Sequence, residues 1–308
     1  MRAIFFGTPD IAVPSLEALT SVAEVVAVVC QPDRPSGRGL ELRPPAIKIR
    51  ARELGLSVAQ PAKIKTAEFL AWVREQRADF ALVLAYGRIL PPDVLGAPAR
   101  GFLNLHASIL PRYRGAAPIN WAITRGETET GISLMQVEEG LDSGPVYSIL
   151  RTPIGVNETA GELAARLAAL AAEMVRGDVL RAVRGEIPPR KQDAENATLA
   201  PPLKKEDGRI DWNKPAAQVH DHARGMTPWP GATTHVGGKL LKVLATRISA
   251  FRADAAPGTI IAADTSGVLV ACREGAVEIV RAQVEGRKPL AAHDLVVGRT
   301  LVTGARLG

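Results

Sequence analysis

The chain has only two cysteines, Cys30 and Cys272, far apart and without ligand-like neighbours. That pattern argues against a disulfide framework and against a zinc site. Both read instead as small buried hydrophobes. No apolar run approaches the ~20 residues that span a bilayer, so no membrane segment is expected. The opening "MRAIFFGTPD" has an apolar stretch too short for a signal peptide, and it ends in a turn rather than a small-residue cleavage site. A cytoplasmic location is the expectation. Also missing are G-x-G-x-x-G after the first strand and G-x-x-x-x-G-K-[ST] anywhere. Their absence sets aside nicotinamide, flavin and phosphate-loop chemistry.

What the chain does have is enough length for two cores, and an uneven charge. Its 308 residues, 46% of them hydrophobic, fit one or two ordinary globular domains, each able to bury its own core. Residues 1–200 carry 23 Lys and Arg against 22 Asp and Glu, whereas residues 201–308 carry 15 against 10. The net charge of +6 therefore sits almost wholly in the last third. There it suits a polyanionic partner such as nucleic acid, or solubility alone.

The order of elements reads as α/β. "RAIFF", "GTPD", "IAVPSLEALTS" and "VVAVVCQ" make strand, turn, helix and strand; "DFALVLAYG", "GFLNLHAS" and "GISLMQV" are further strands separated by helical patterns. Continuous apolar strands between turns predict a doubly wound, mainly parallel sheet buried on both faces. Thr159 and Glu162 form a capping box ahead of a stripe of Leu163, Leu167, Leu170 and Met174 at helical spacing, a core-facing helix. Residues 1–186 are thus the expected first domain. Residues 187–206 are rich in proline and charge without period, and read as a linker. Residues 207–308 hold short strands and tight turns, with Gly237-Gly238 at a two-residue hairpin turn. A small, OB-like β-barrel is expected there.

Ligands of open parallel sheets bind beyond the carboxyl ends of the strands, which singles out "AYG", "HASILP" and "EEGLDSG". Asn104 and His106 lie two apart near the end of one strand, so both face the same way. Asp142, on a glycine-flanked loop after the next strand, can bring its carboxylate to His106. An amide donor, an imidazole and a carboxylate suit acyl transfer: the first two stabilise an oxyanion and the third orients or charges the imidazole. No serine or cysteine nucleophile is evident, which favours direct attack by the acceptor over an acyl-enzyme. The bland reading of the same residues is a satisfied core histidine and a turn-forming aspartate.

The run "VLAYGRILP…GFLNLHASILPRYRGAAPINWAI…ETGISLMQVEEGLDSGPV" resembles the folate-dependent formyltransferases, whose signature is Asn-x-His, then Ser-Leu-Leu-Pro, then a downstream Asp. The resemblance extends to "FFGTPDIAVPSL", "VCQPDRPSGRG", "RIDWNKPA" and "GMTPWPGA". It implies that Asn104, His106 and Asp142 are the catalytic trio. It further implies that Ser108, Ile109, Leu110 and Pro111 contact the folate, with Ile109 where Leu is usual. By the same resemblance Tyr86, Gly87, Ile89 and Leu90 line the pterin pocket. The insertion "QPDRPSGRGLELRPPAIK" marks members that act on tRNA, and Arg34, Arg38 and Arg43 fall in it. Leu40 and Glu41 stand where relatives often carry lysines.

The function so implied is transfer of the formyl group of 10-formyltetrahydrofolate to the α-amine of methionyl initiator tRNA, without a metal, by a monomer. Two alternatives stay open: a formyltransferase acting on a sugar-nucleotide amine, and a non-catalytic tRNA-binding relative.

Overall fold

The computed structural model describes residues 1–36, 41–251, 254–264 and 267–308. The chain divides into two compact units. The first takes in Met1–Ala116, Thr130–Thr152 and Ala164–Ala200; the second takes in Ala117–Glu129, Pro153–Leu163 and Pro201–Gly308.

In the first unit one sheet runs, edge to edge, through Val146–Pro153, Glu129–Gln136, Phe102–His106, Phe80–Leu84, Arg2–Gly7, Glu24–Val29 and Val58–Ala59. Arg2–Gly7 is parallel to both neighbours, and Phe80–Leu84 is parallel to Phe102–His106. Glu129–Gln136 then turns antiparallel and sets Ser133 opposite His106. The central strands are largely apolar because both faces are covered: Ala3, Ile4, Phe5 and Phe6 are all fully buried. Phe6 meets the rings of Tyr86 and Phe102 at 5.3 and 5.1 Å, in the edge-on and tilted arrangements that ring quadrupoles favour. The expected doubly wound, mainly parallel sheet is therefore present. Two edge strands were not legible, since Val58–Ala59 is two residues long and Val146–Pro153 is half-exposed without a clean alternation.

The proline-rich stretch expected as a linker is held by backbone pairing as far as Ala200. Val146 and Arg190 exchange N–H···O bonds, both of 2.8 Å, and Leu199–Ala200 runs parallel to Arg114–Gly115. Composition cannot show such pairing, because a short bridge needs no periodicity.

In the second unit Ala232–Val236, Lys239–Ser249, Ala276–Val284, Gly267–Ala271 and Ile260–Asp264 form an antiparallel sheet in that order, with Leu290–Ala291 added on Ala276–Val284. Gly237 and Gly238 have φ of 54° and 75° and link Val236 to its partner Lys239, the left-handed pair that a tight hairpin demands. One face buries Leu241, Val243, Val270, Val277 and Ile279 with Trp212. This antiparallel sheet is the all-β second part expected from the short strands and tight turns, and among the described residues no ladder joins Ala232–Val236 to Ile260–Asp264. Period-two alternation reports a buried face, not closure.

Two early stretches belong to this second unit. Helix Pro118–Thr124 packs along helix Ala216–Gly225, and Ala117 and Trp121 lie against the second core. Asn120 Nδ2 donates to Gly225 O at 2.8 Å and Trp121 Nε1 to Pro201 O at 2.8 Å. In the loop before helix Ala160–Met174, Arg224 Nη1 donates to Gly155 O and Glu158 O at 3.2 and 3.1 Å, and His220 Nε2 lies 2.9 Å from Val156 O. The capping box is formed as read: Thr159 N donates to Glu162 Oε2 at 2.9 Å and Glu162 N to Thr159 Oγ1 at 3.3 Å.

A fragment ending at Ala200 therefore strips Ala117, Trp121 and the 153–163 loop of their partners. Relative to the full chain it should bind a dye for exposed apolar surface and melt at lower temperature. A fragment with the full chain's melting temperature and no dye binding would show that these stretches do not depend on the second unit.

Candidate active site

His106 closes strand Phe102–His106 and is 6% exposed. Its Nδ1 lies 3.5 Å from Asp142 Oδ2, and its Nε2 lies 2.8 Å from Tyr113 O. Both ring nitrogens thus face oxygens that only accept. An imidazolium can donate to both, whereas a neutral ring can donate to one. At 3.5 Å the approach to Asp142 is an electrostatic contact, longer than a formed hydrogen bond.

Asp142 reaches this position from a turn in which its own φ is 46°, a left-handed conformation that Asp adopts more readily than most residues. Its Oδ2 also accepts from Gly115 N at 2.9 Å. Gly115 has φ 123°, and a Cβ there would lie 2.6 Å from Ala200 O. Only glycine fits. Asn104 is half-buried on the face it shares with His106. Among the described residues its side chain has no hydrogen-bond partner, so its amide remains available as a donor.

The segment after His106 is fixed by its own hydrogen bonds. Ser108 N donates to His106 O at 2.9 Å and Ser108 Oγ to Arg112 O at 2.6 Å. Ser133 Oγ donates to Ser108 O at 2.7 Å and accepts from Leu110 N at 3.1 Å. The Leu110–Pro111 peptide is cis. Ser108 and Leu110 are buried, which leaves Ile109 and Pro111 as the half-exposed side chains of the four.

The other expected pocket residues separate in the same way. Tyr86 is a core side chain; burial pushes its phenol up to about 12, and its carbonyl accepts from Thr8 Oγ1 and Gln31 Nε2, both at 3.1 Å. Leu90 is buried, Gly87 takes φ 80°, and Ile89 is 74% exposed. An open groove of about 530 Å³ lies between Pro92, Leu95 and Gly96 on one side and Val137 to Gly140 on the other. Its second wall is the loop that carries Asp142.

Arg34 and Arg43 are opposite each other on the short ribbon Arg34–Ser36 and Glu41–Arg43, both exposed. Arg38 and Leu40 lie outside the described residues. The base of the ribbon is anchored: Lys48 Nζ donates to both Asp33 oxygens at 2.8 and 2.7 Å, and Gln60 Nε2 to Asp33 Oδ1 at 2.7 Å. The bond from Lys48 holds the Asp33 carboxyl below the usual carboxylate range. Among the described residues no group of three or more His, Cys, Asp or Glu is placed to hold a metal, and no helix is long and apolar enough to cross a membrane.

Residues 1–177 match the family model described as formyl transferase, and residues 202–300 match its C-terminal domain. The chain belongs to the formyl transferase family. It is 66% identical to the methionyl-tRNA formyltransferase of Sorangium cellulosum over 100% of both chains. At the level of fold it is similar to the N-formyltransferase of Helicobacter canadensis, in complex with folinic acid and dTDP-3-aminofucose, with a TM-score of 0.66 at 16% identity over 90% of this chain and 98% of that one. It is also similar to HypX of Aquifex aeolicus in complex with tetrahydrofolic acid, with a TM-score of 0.63 at 18% identity, covering 96% of this chain and 47% of that longer one.

Sequence reasoning missed the residues that support this candidate site from behind. Ser133 is fully buried in an apolar strand, Thr198 Oγ1 accepts from Tyr113 N at 2.9 Å, and Gln192 sits in the stretch taken for a linker. The one local signal was Ser133, a hydroxyl inside "GISLMQV". Ser133→Ala should leave the Ser108 carbonyl and Leu110 N–H without that partner and cost roughly 1–3 kcal/mol, read as a lower urea midpoint. An unchanged midpoint would mean that the hydroxyl does not hold the 108–111 segment.

Proposed function

We propose that the protein transfers the formyl group of 10-formyltetrahydrofolate to the α-amine of methionine carried by initiator tRNA, as a monomer in the cytoplasm. The observation that carries the catalytic reading is the convergence of His106 on Asp142 beside the amide of Asn104, which has no hydrogen-bond partner among the described residues. The acceptor is supported by the match to the Sorangium relative along the whole chain. It is supported too by the exposed arginine pair of the 34–43 ribbon and by the basic excess of residues 201–308. A groove of about 530 Å³ falls within the ordinary range for a small-molecule site, and we assign the flat pterin to it.

In this mechanism the neutral amine attacks the formyl carbon. Asn104 Nδ2 donates to the formyl oxygen as it gains negative charge, and the His106 imidazolium adds its positive charge at the same centre. The Asp142 carboxylate, 3.5 Å from Nδ1, orients the His106 ring. As the tetrahedral centre collapses, the bond from carbon to the folate nitrogen breaks. The proton lost by the attacking amine is relayed by way of the Asp142 carboxylate to that nitrogen. No covalent enzyme intermediate is involved. The exposed arginines of the ribbon contact phosphates near the aminoacyl end of the tRNA, and the second unit binds phosphates of its body.

His106→Ala should lower formyl transfer by about 10²- to 10⁴-fold, as for a lost acid or base, while folate affinity changes far less. Near-normal turnover in the folded variant would make the trio structural. Charged initiator tRNA and a 4-amino sugar nucleotide, offered separately with the formyl donor, should give transfer to the tRNA only. Transfer to the sugar nucleotide would reassign the acceptor.

Arg43→Ala should raise the KM for tRNA without changing folate affinity. It should also make the slope of log affinity against log salt shallower by about 0.9 if one phosphate contact is lost. An unchanged slope would remove Arg43 from the tRNA surface.

A further inference from the structure

The carboxylate of Asp142 is placed by a turn with left-handed backbone, and such a turn persists only where neighbours over-determine it. One side chain does this from both directions. Gln192 Nε2 donates to Asp142 O at 2.8 Å and to Gly144 O at 2.7 Å. Its Oε1 accepts from Arg114 Nε at 3.1 Å and Arg114 Nη2 at 2.7 Å. Arg114 directly precedes Gly115, whose N–H donates to Asp142 Oδ2. Gln192 is 9% exposed, and both its amide donors and its carbonyl are engaged. It therefore ties the backbone of the Asp142 turn to the strand that holds the Asp142 carboxylate.

We propose that Gln192 is a positioning residue for formyl transfer, acting through Asp142. Resting on the catalytic reading above, it fixes the distance between Asp142 and His106 without touching either substrate. The amide is the right group for this work. It donates to two carbonyls of one turn and accepts from a guanidinium of another segment, and a carboxylate, hydroxyl or ammonium cannot do both. When it is lost, the turn can relax and carry the Asp142 carboxylate away from Nδ1. A displacement of about 1 Å at a catalytic group can cost on the order of 10²-fold in rate.

The test is a double-mutant cycle with a conservative control. Gln192→Ala should lower kcat by on the order of 10²-fold and leave the KM for the folate donor unchanged. In an Asp142→Asn background, already slow, it should lower kcat little further, because the group it positions is gone. Gln192→Glu keeps both acceptor bonds to Arg114 and loses both donations to the Asp142 turn. It should fold as the parent does, show the same loss of kcat as Gln192→Ala, and decide the matter if Gln192→Ala does not fold.

Parental kcat in Gln192→Glu, or equal losses from Gln192→Ala in both backgrounds, would overturn the positioning role while leaving the catalytic trio standing. Parental kcat in Asp142→Asn alone would overturn the catalytic reading itself and the positioning built on it.

Discussion

The Asp142 carboxylate is shared between a buried imidazole and a backbone N–H, and much of the irregular structure of the first unit serves to bring it there. A carboxylate withdrawn from water is costly unless it is paired and hydrogen-bonded. Here Oδ2 has His106 Nδ1 at 3.5 Å and Gly115 N at 2.9 Å. Gly115 is in turn held against Ala200 by the short pairing of Arg114–Gly115 with Leu199–Ala200. A run of chain far downstream in sequence thus reaches back to support the loop that supports the aspartate.

The histidine side of the pair is equally constrained. Ser133 stands opposite His106 across an antiparallel pairing and clamps the 108–110 backbone. Tyr113 is itself held in a left-handed conformation, φ 63°, and presents its carbonyl to Nε2. The ring is thus fixed between two acceptors, next to an amide that has no hydrogen-bond partner among the described residues. In the proposed mechanism this preorganised arrangement stabilises charge that develops on the formyl oxygen with little reorganisation at the moment of reaction. In that mechanism the chain needs no nucleophile of its own, since the incoming amine supplies one.

What could be read from the sequence follows the length over which a pattern persists. Apolar runs such as "AIFF" and "FALVL" repeat for enough residues to declare a buried parallel sheet. Asn104 and His106 were legible because polar groups two apart in an apolar strand must share a face. Gly237-Gly238 was legible because two left-handed residues in succession have few other uses. Gln192 was not, because its role rests on four hydrogen bonds to residues about fifty and eighty positions away, in a stretch whose prolines and charges suggest a spacer. That the Tyr86 ring fills the core was not legible either, since packing is a matter that spacing does not record. The division of the chain was hidden too: nothing in "PINWAIT" says that this helix packs on one a hundred residues later.

The central claim is that formyl transfer takes place between Asn104, His106 and Asp142. The most direct measurement is a crystal structure of the protein with a folate carrying a non-transferable mimic of the 10-formyl group. The account predicts the mimic's oxygen within hydrogen-bond distance of Asn104 Nδ2, with His106 alongside and the pterin between Pro92 and Gly140. A mimic group bound out of reach of both Asn104 and His106, with the pterin ordered, would contradict it.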